Sequence, residues 1–160
     1  MYNFIFHIQY MLIMTITYTY GFGGCYLKIV VPVTSKNGLY SKIYEHFGRA
    51  PYYALMELDE THNVKKINFI ENPRVMGYRP GIYFSQLGVE YIAIKEGGIG
   101  ARAIEILKQR GIKILVANGN NLEDILRSIK EGSLKPYTGL GCPGKNVNTD
   151  PCGFSNFLIN

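Results

Sequence analysis

The sequence predicts an α/β domain built on a mixed sheet, and three observations carry that prediction. Three short apolar runs, Leu27–Val33, Tyr91–Ile94 and residues 112–117, have the length and composition of buried strands. Two alternating runs, residues 52–59 and Val64–Glu71, flank the turn chemistry of Glu60, Thr61, His62 and Asn63, so they pair as a hairpin. Two stretches with helical apolar spacing, residues 101–110 and 122–129, follow the last two strands.

Taken in order, Leu27–Val33 is stopped by Pro32 and Thr34, and residues 34–48 read as a polar loop with Gly38 and Gly48. The hairpin comes next. Asn72 and Pro73 then open a loop to Gly81 that contains Gly77 and Pro80. Residues 81–87 form a short helix ended by Gly88. The helix over 101–110 buries Ile104, Leu107 and the stem of Lys108, and Gly111 caps it. Asn120 or Asn121 caps the final helix, whose apolar face is Leu122, Ile125, Leu126 and Ile129. The late β-α-β-α order implies right-handed parallel crossovers with helices on the sheet faces. Met56, Tyr40 and Tyr44 are expected to pack, and His62 to face solvent in the hairpin turn.

The 160 residues fit one domain, read as residues 27–134 between an extension, 1–26, and a flexible Gly/Pro/Cys tail, 135–160. The extension contains no Lys, Arg, Asp or Glu. Its apolar stretch is broken by His7, Gln9 and several Thr and Tyr, and no basic residue flanks its start, which argues against a membrane anchor. It also lacks the charged beginning and cleavage site of a signal peptide. The favoured reading is translation from a start chosen too early. As native sequence it suits an added strand or a sticky tail. Three scattered cysteines are not a disulfide framework, so a reducing, cytoplasmic setting and no membrane association are expected. A net charge of +5 favours an anionic partner.

Ligands of open α/β sheets gather beyond the carboxyl ends of parallel strands. Three loops leave such ends here: residues 34–48, 72–81 and 95–102. The third is the sharpest signal. Gly97, Gly98 and Gly100 precede a helix that carries Arg102 in its first turn, so backbone N–H groups, the helix dipole and a guanidinium could seat an anion. The same glycines could simply make a tight strand-to-helix turn. The imidazole of His46 can ligate a borderline metal, or it can bond within its own loop. Cys142 and Cys152, with nine residues between them, match no zinc or ferredoxin spacing, and supply at most part of a metal site. No nucleophile–His–carboxylate set is visible, and Glu45, Glu57, Asp59, Glu71 and Glu96 are dispersed, so an enzyme is not expected. No basic stripe is interleaved with stacking rings, so nucleic acid is not expected either.

Several segments together resemble the dinitrogenase iron–molybdenum cofactor biosynthesis family, which includes NifX, NafY and the C-terminal part of some NifB proteins. They are Leu27–Val33, then Glu45, His46, Phe47, Gly48, Arg49, Ala50, Pro51 and Tyr52, then Glu71, Asn72 and Pro73. Gly97 to Ala103 and Gly111 to Lys113 complete the set. The resemblance implies a ribonuclease-H-like three-layer α/β/α fold with a five-stranded mixed sheet in order 3-2-1-4-5, strand 2 antiparallel. It implies carriage of an iron–sulfur, iron–molybdenum or related cluster without turnover, received from or delivered to a partner protein. His46 is the implied metal ligand; Cys142 and Cys152 lie outside the resemblance and remain candidates on their thiol chemistry alone. Arg49, Gly97, Gly98, Gly100 and Arg102 are the other candidate contacts. Many relatives carry a His after the Asn–Pro; this chain has Arg74, Val75, Met76, Gly77, Tyr78 and Arg79 instead, and the two arginines could balance an anionic cluster. Two other classes stay open: a metal-free interaction or regulatory module, and an enzyme acting on a phosphorylated small molecule.

Overall fold

The computed structural model describes residues 26–141; the extension over 1–25 and both tail cysteines, Cys142 and Cys152, lie outside them. The elements are β1 (Leu27–Val33), β2 (Tyr52–Leu58), β3 (Val64–Glu71), α1 (Pro80–Gln86), β4 (Tyr91–Ile94), α2 (Ala101–Gln109), β5 (Lys113–Val116), α3 (Leu122–Lys130) and β6 (Lys135–Pro136). They form one mixed sheet in the order β3-β2-β1-β4-β5-β6. β1, β4 and β5 run parallel, and β2 runs antiparallel to both its neighbours.

The sheet has six strands, not five. Lys135 and Pro136 pair antiparallel with β5, through Val116 and Leu115, and Tyr137 N–H donates to Ile114 O at 2.8 Å. These two residues lie in the stretch read as a tail, and they add one edge strand to the sheet. A two-residue strand has no alternation to read, and its proline is tolerated because it sits at an edge.

Helices cover both faces. On one, α1 and α2 pack over Val30, Tyr53, Leu55, Ile92 and Ile94. On the other, α3 places Leu122, Ile125 and Leu126 over Ile29, Val31, Ala54 and Met56. β1 is buried from both sides, which is why its sequence is apolar without alternation. Pro32 lies within this central strand at little cost. Its carbonyl accepts from Tyr44 N–H at 2.8 Å, so its missing donor faces that segment and not the β2 ladder.

Two readings of packing change. Tyr40 is 70% exposed on a short 3-10 turn, whereas Tyr44 does pack against the core. Lys108 is exposed, and Ala103 takes its place beside Ile104 and Leu107. Helix α1 starts one residue earlier than expected because Pro80 supplies a preset φ at its first position. Gly81 is buried there, and a Cβ on it would meet Ile106 and Leu107 at 3.4 Å, so it sets how closely α1 approaches α2.

Candidate functional site: a cationic cleft at the strand ends

The loops after β1, β3 and β4 leave the same end of the sheet, because β3 is parallel to β1 through two antiparallel steps. There the two sequence motifs touch. Phe47 N–H donates to Gly98 O at 2.7 Å, and Lys95 Nζ lies 3.5 Å from Glu45 Oε1. Gly98 is buried against the Glu45 carbonyl. A Cβ built on it would fall 2.2 Å from that oxygen and 2.9 Å from Lys95 O. The glycine is there for close backbone approach, since its neighbours are main chain and cannot swing away.

This contact alters one expectation. The Gly98 N–H is not offered to a ligand; it donates to Lys95 O at 2.9 Å within its own turn. The Gly100 carbonyl accepts from Ala103 and Ile104 N–H, which starts α2. The glycine run therefore acts as a tight turn at Gly98 and as the helix entrance at Gly100.

The open space lies beside that turn. A cleft of about 520 Å³ runs between Phe47–Gly48, the loop Arg74 to Pro80, and Gly100, Arg102 and Ala103 at the start of α2. Three guanidinium side chains line it, from Arg74, Arg79 and Arg102, and no carboxylate does. None of the three forms an ion pair among the described residues, where the pairs are Lys36–Glu71, Lys65–Asp59, Lys95–Glu45 and Arg127–Asp124. A volume of this size suits a ligand of many atoms. Cations without counter-charge, next to a helix N-terminus, favour an anion with several acceptor atoms.

Asn72 ties the two walls together. Its side-chain amide donates to Ala50 O at 2.7 Å, its Oδ1 accepts from Arg74 N–H at 3.0 Å, and its own N–H donates to Pro51 O at 3.1 Å. Gly48 makes room for the Arg74 side chain: a Cβ at 48 would lie 3.3 Å from its Nη2. Beneath, Tyr53 is fully buried and its hydroxyl donates to Phe47 O. Burial raises the Tyr53 pKa far above the ordinary tyrosine value, against a weaker opposing pull from the Arg74 charge, so the hydroxyl remains a donor. Rings of Phe47, Tyr53 and Phe84 meet at 4.8–6.4 Å, which fixes the floor of the cleft.

Of the residues singled out in the sequence, Gly100 and Arg102 line the cleft, as do Phe47 and Gly48 of the histidine motif. His46 is half-buried at the start of the 3-10 turn Phe47–Arg49, and its carbonyl accepts from Arg49 N–H at 3.2 Å. The cleft wall includes neither His46 nor Arg49, Gly97 or Gly98. Among the described residues no group of three or more His, Cys, Asp or Glu side chains could hold a metal ion. Tyr78 gives no signal in the sequence, and Arg74 and Arg79, read there as a charge balance for an anionic cluster, line the cleft with it. The available signal was two arginines in a loop without acids: residues 72–89 contain no carboxylate.

Fold and cleft together define a small mixed α/β domain with a cationic cleft at the carboxyl ends of parallel strands. The chain belongs to the dinitrogenase iron-molybdenum cofactor family, whose family model matches residues 27–132. An uncharacterized protein of Methanocaldococcus jannaschii is 25% identical over 116 residues, 69% of this chain and 92% of its own length. Among solved structures, a Thermotoga protein provisionally described as NifB shares 24% identity at a TM-score of 0.57, covering 74% of this chain and 99% of its own. The apo form of the orange protein from Desulfovibrio gigas shares 18% at a TM-score of 0.57, covering 73% and 98%. These structures share the fold. Among the described residues no helix is long and apolar enough to cross a membrane.

Proposed function

We propose that the chain carries an anionic metal–sulfur cluster, or its thiometallate precursor, in the cleft between the histidine motif and α2, without chemical turnover. One observation carries the reading: the two family motifs meet and form one wall of a cleft whose charge comes from three guanidiniums with no carboxylate among its lining residues. Family membership supports the nature of the cargo. The donor set suits a cluster that brings its own sulfide ligands, because guanidinium N–H groups donate to anions and do not bind bare metal cations. The fold is read as the ribonuclease-H-like arrangement extended by one edge strand, in a cytoplasmic protein. The cluster would pass between this chain and a donor or acceptor protein, and His46, next in the chain to the cleft-lining Phe47, is the candidate ligand.

The test is anaerobic reconstitution of the full chain with iron, sulfide and molybdate, followed by metal analysis and visible absorption. A coloured, metal-loaded protein is expected. Substitution of Arg74, Arg79 and Arg102 by Gln should remove the colour while leaving the circular dichroism unchanged. Equal loading of that variant would overturn the cleft assignment. His46→Ala separately tests ligation, by a shift of the absorption bands; identical bands would remove His46 from the site.

A further inference from the structure

The cleft has an apolar lip that stands out in solvent. Val75 is 76% exposed, Met76 58% and Tyr78 50%, three large apolar side chains within four residues. The backbone holding them is tightly bonded. Asn72 caps the 3-10 turn Pro73–Met76, Gly77 takes a left-handed φ of 82°, and its N–H donates to Arg74 O at 3.0 Å. Val75 N–H donates to Asn72 O and Tyr78 N–H to Pro73 O, each at 3.0 Å. Tyr78 also leans on Tyr83 of α1, ring centroids 6.1 Å apart. A turn this well bonded, yet spending its order on apolar groups in water, has the character of a recognition surface.

We propose that residues 73–79 are a docking surface for a protein that presents carboxylates around an apolar pocket, and that this protein exchanges the anion in the cleft. The exchange part rests on the carrier reading above. Charge decides the occupant. Arg74 and Arg79 flank the apolar side chains, and residues 72–89 offer no acid to balance them. Acidic groups on a partner would meet these cations at the rim while Val75 and Met76 enter its pocket. A second copy docked lip to lip would bring four guanidiniums together. A bilayer, being flat, would leave the concave cleft beside the lip unfilled.

The experiment uses the full chain and three short fluorescein-labelled peptides: one alternating Asp/Glu with Leu/Phe, one alternating Asp/Glu with Ser, and one alternating Lys with Leu/Phe. Anisotropy should report binding of the first, with the other two weaker by about tenfold, on the order of one buried anchor. V75S/M76S should weaken the acidic–apolar peptide by a similar factor. These two side chains do not line the cleft, so tetrathiomolybdate, measured by equilibrium dialysis, should bind the variant as it binds the native chain. The proposal is overturned by equal binding of the Ser and the Leu/Phe acidic peptides, or by an unchanged V75S/M76S. It is also overturned if Val75 and Met76 instead drive dimerisation or preferential binding to phosphatidylcholine–phosphatidylglycerol vesicles. Failure of tetrathiomolybdate to bind at all, with peptide binding intact, would sink the carrier reading and leave the docking surface standing.

Discussion

Single atoms decide much at the strand ends. A methyl group at Gly98 would have to occupy space 2.2 Å from the Glu45 carbonyl, so Gly98→Ala must separate the two motif loops or distort both. Overpacking of this kind costs about 1–3 kcal/mol, and urea unfolding should show a loss in that range. Gly48→Ala is a different case. Its Cβ would press on the end of a flexible Arg74 side chain at 3.3 Å, which can move. Stability should therefore stay within about 0.5 kcal/mol of native, while affinity for tetrathiomolybdate falls as the guanidinium is displaced. A stability loss equal to that of Gly98→Ala would show that Arg74 is locked in place. Neither effect is legible in the sequence, where Gly98 reads as a candidate anion contact and Gly48 as one residue of the histidine motif. The sequence did point to the Gly97–Gly100 run and to His46, but the amide of Gly98 turns out to serve Lys95 O. Which amides a turn keeps for itself depends on backbone geometry that residue types do not encode.

At the scale of elements, local chemistry was readable because each signal is complete within a few residues. The hairpin turn is an example. Asp59 Oδ1 accepts from Thr61 N–H, Thr61 Oγ1 and Asn63 N–H at 2.7–3.0 Å, and Lys65 Nζ lies 3.1 Å from Oδ2. The Asn63 and Thr61 bonds, ahead of Lys65, hold the Asp59 carboxyl far below the usual carboxylate range. A carboxyl depressed in the folded state stabilises it above the unfolded pKa of about 4, and that contribution is lost as pH falls through the folded value. Urea midpoints of native protein should therefore drop steadily below about pH 4, and Asp59→Asn should have a shallower acid slope with a lower midpoint at pH 7. Parallel slopes would show that the turn carries no such linkage. Helix α3 gives a second case. Asn121 Oδ1 accepts from Asp124 N–H at 3.0 Å, and Asp124 Oδ2 accepts from Asn120 and Asn121 N–H at 2.8 and 3.3 Å. The sequence offered Asn120 or Asn121 as the cap, and the reciprocal pair selects Asn121. Asn121→Ala should cost about 1 kcal/mol. What escaped was β6, since Lys135 and Pro136 carry no periodicity and gain their strand identity from the exposed edge of β5.

The whole molecule supplies what no segment contains. Arg74 and Arg79 come from the loop after β3, Arg102 from the helix after β4, and Gly48 from the loop before β2. A sheet order that places β1 and β2 between β3 and β4 brings them around one cleft. Sequence patterns see neighbours along the chain, so they found Arg102 beside its glycines and read Arg74 and Arg79 only as a charge balance. The electrostatics of the assembled cleft can be measured. The three guanidiniums are exposed, so their attraction for an anion acts largely through solvent and weakens as the Debye length shrinks from about 10 Å at 0.1 M salt to about 3 Å at 1 M. Tetrathiomolybdate affinity should fall steeply across that range. Each Arg→Gln substitution should lower affinity at low salt by roughly tenfold, the scale of one charge-assisted contact, and should also flatten the salt dependence. Coordination of the metal by a neutral imidazole would behave differently, because an uncharged ligand leaves the salt slope in place when it is removed. If His46→Ala flattened the slope and the arginine variants did not, the anion would be held at the motif and not in the cleft.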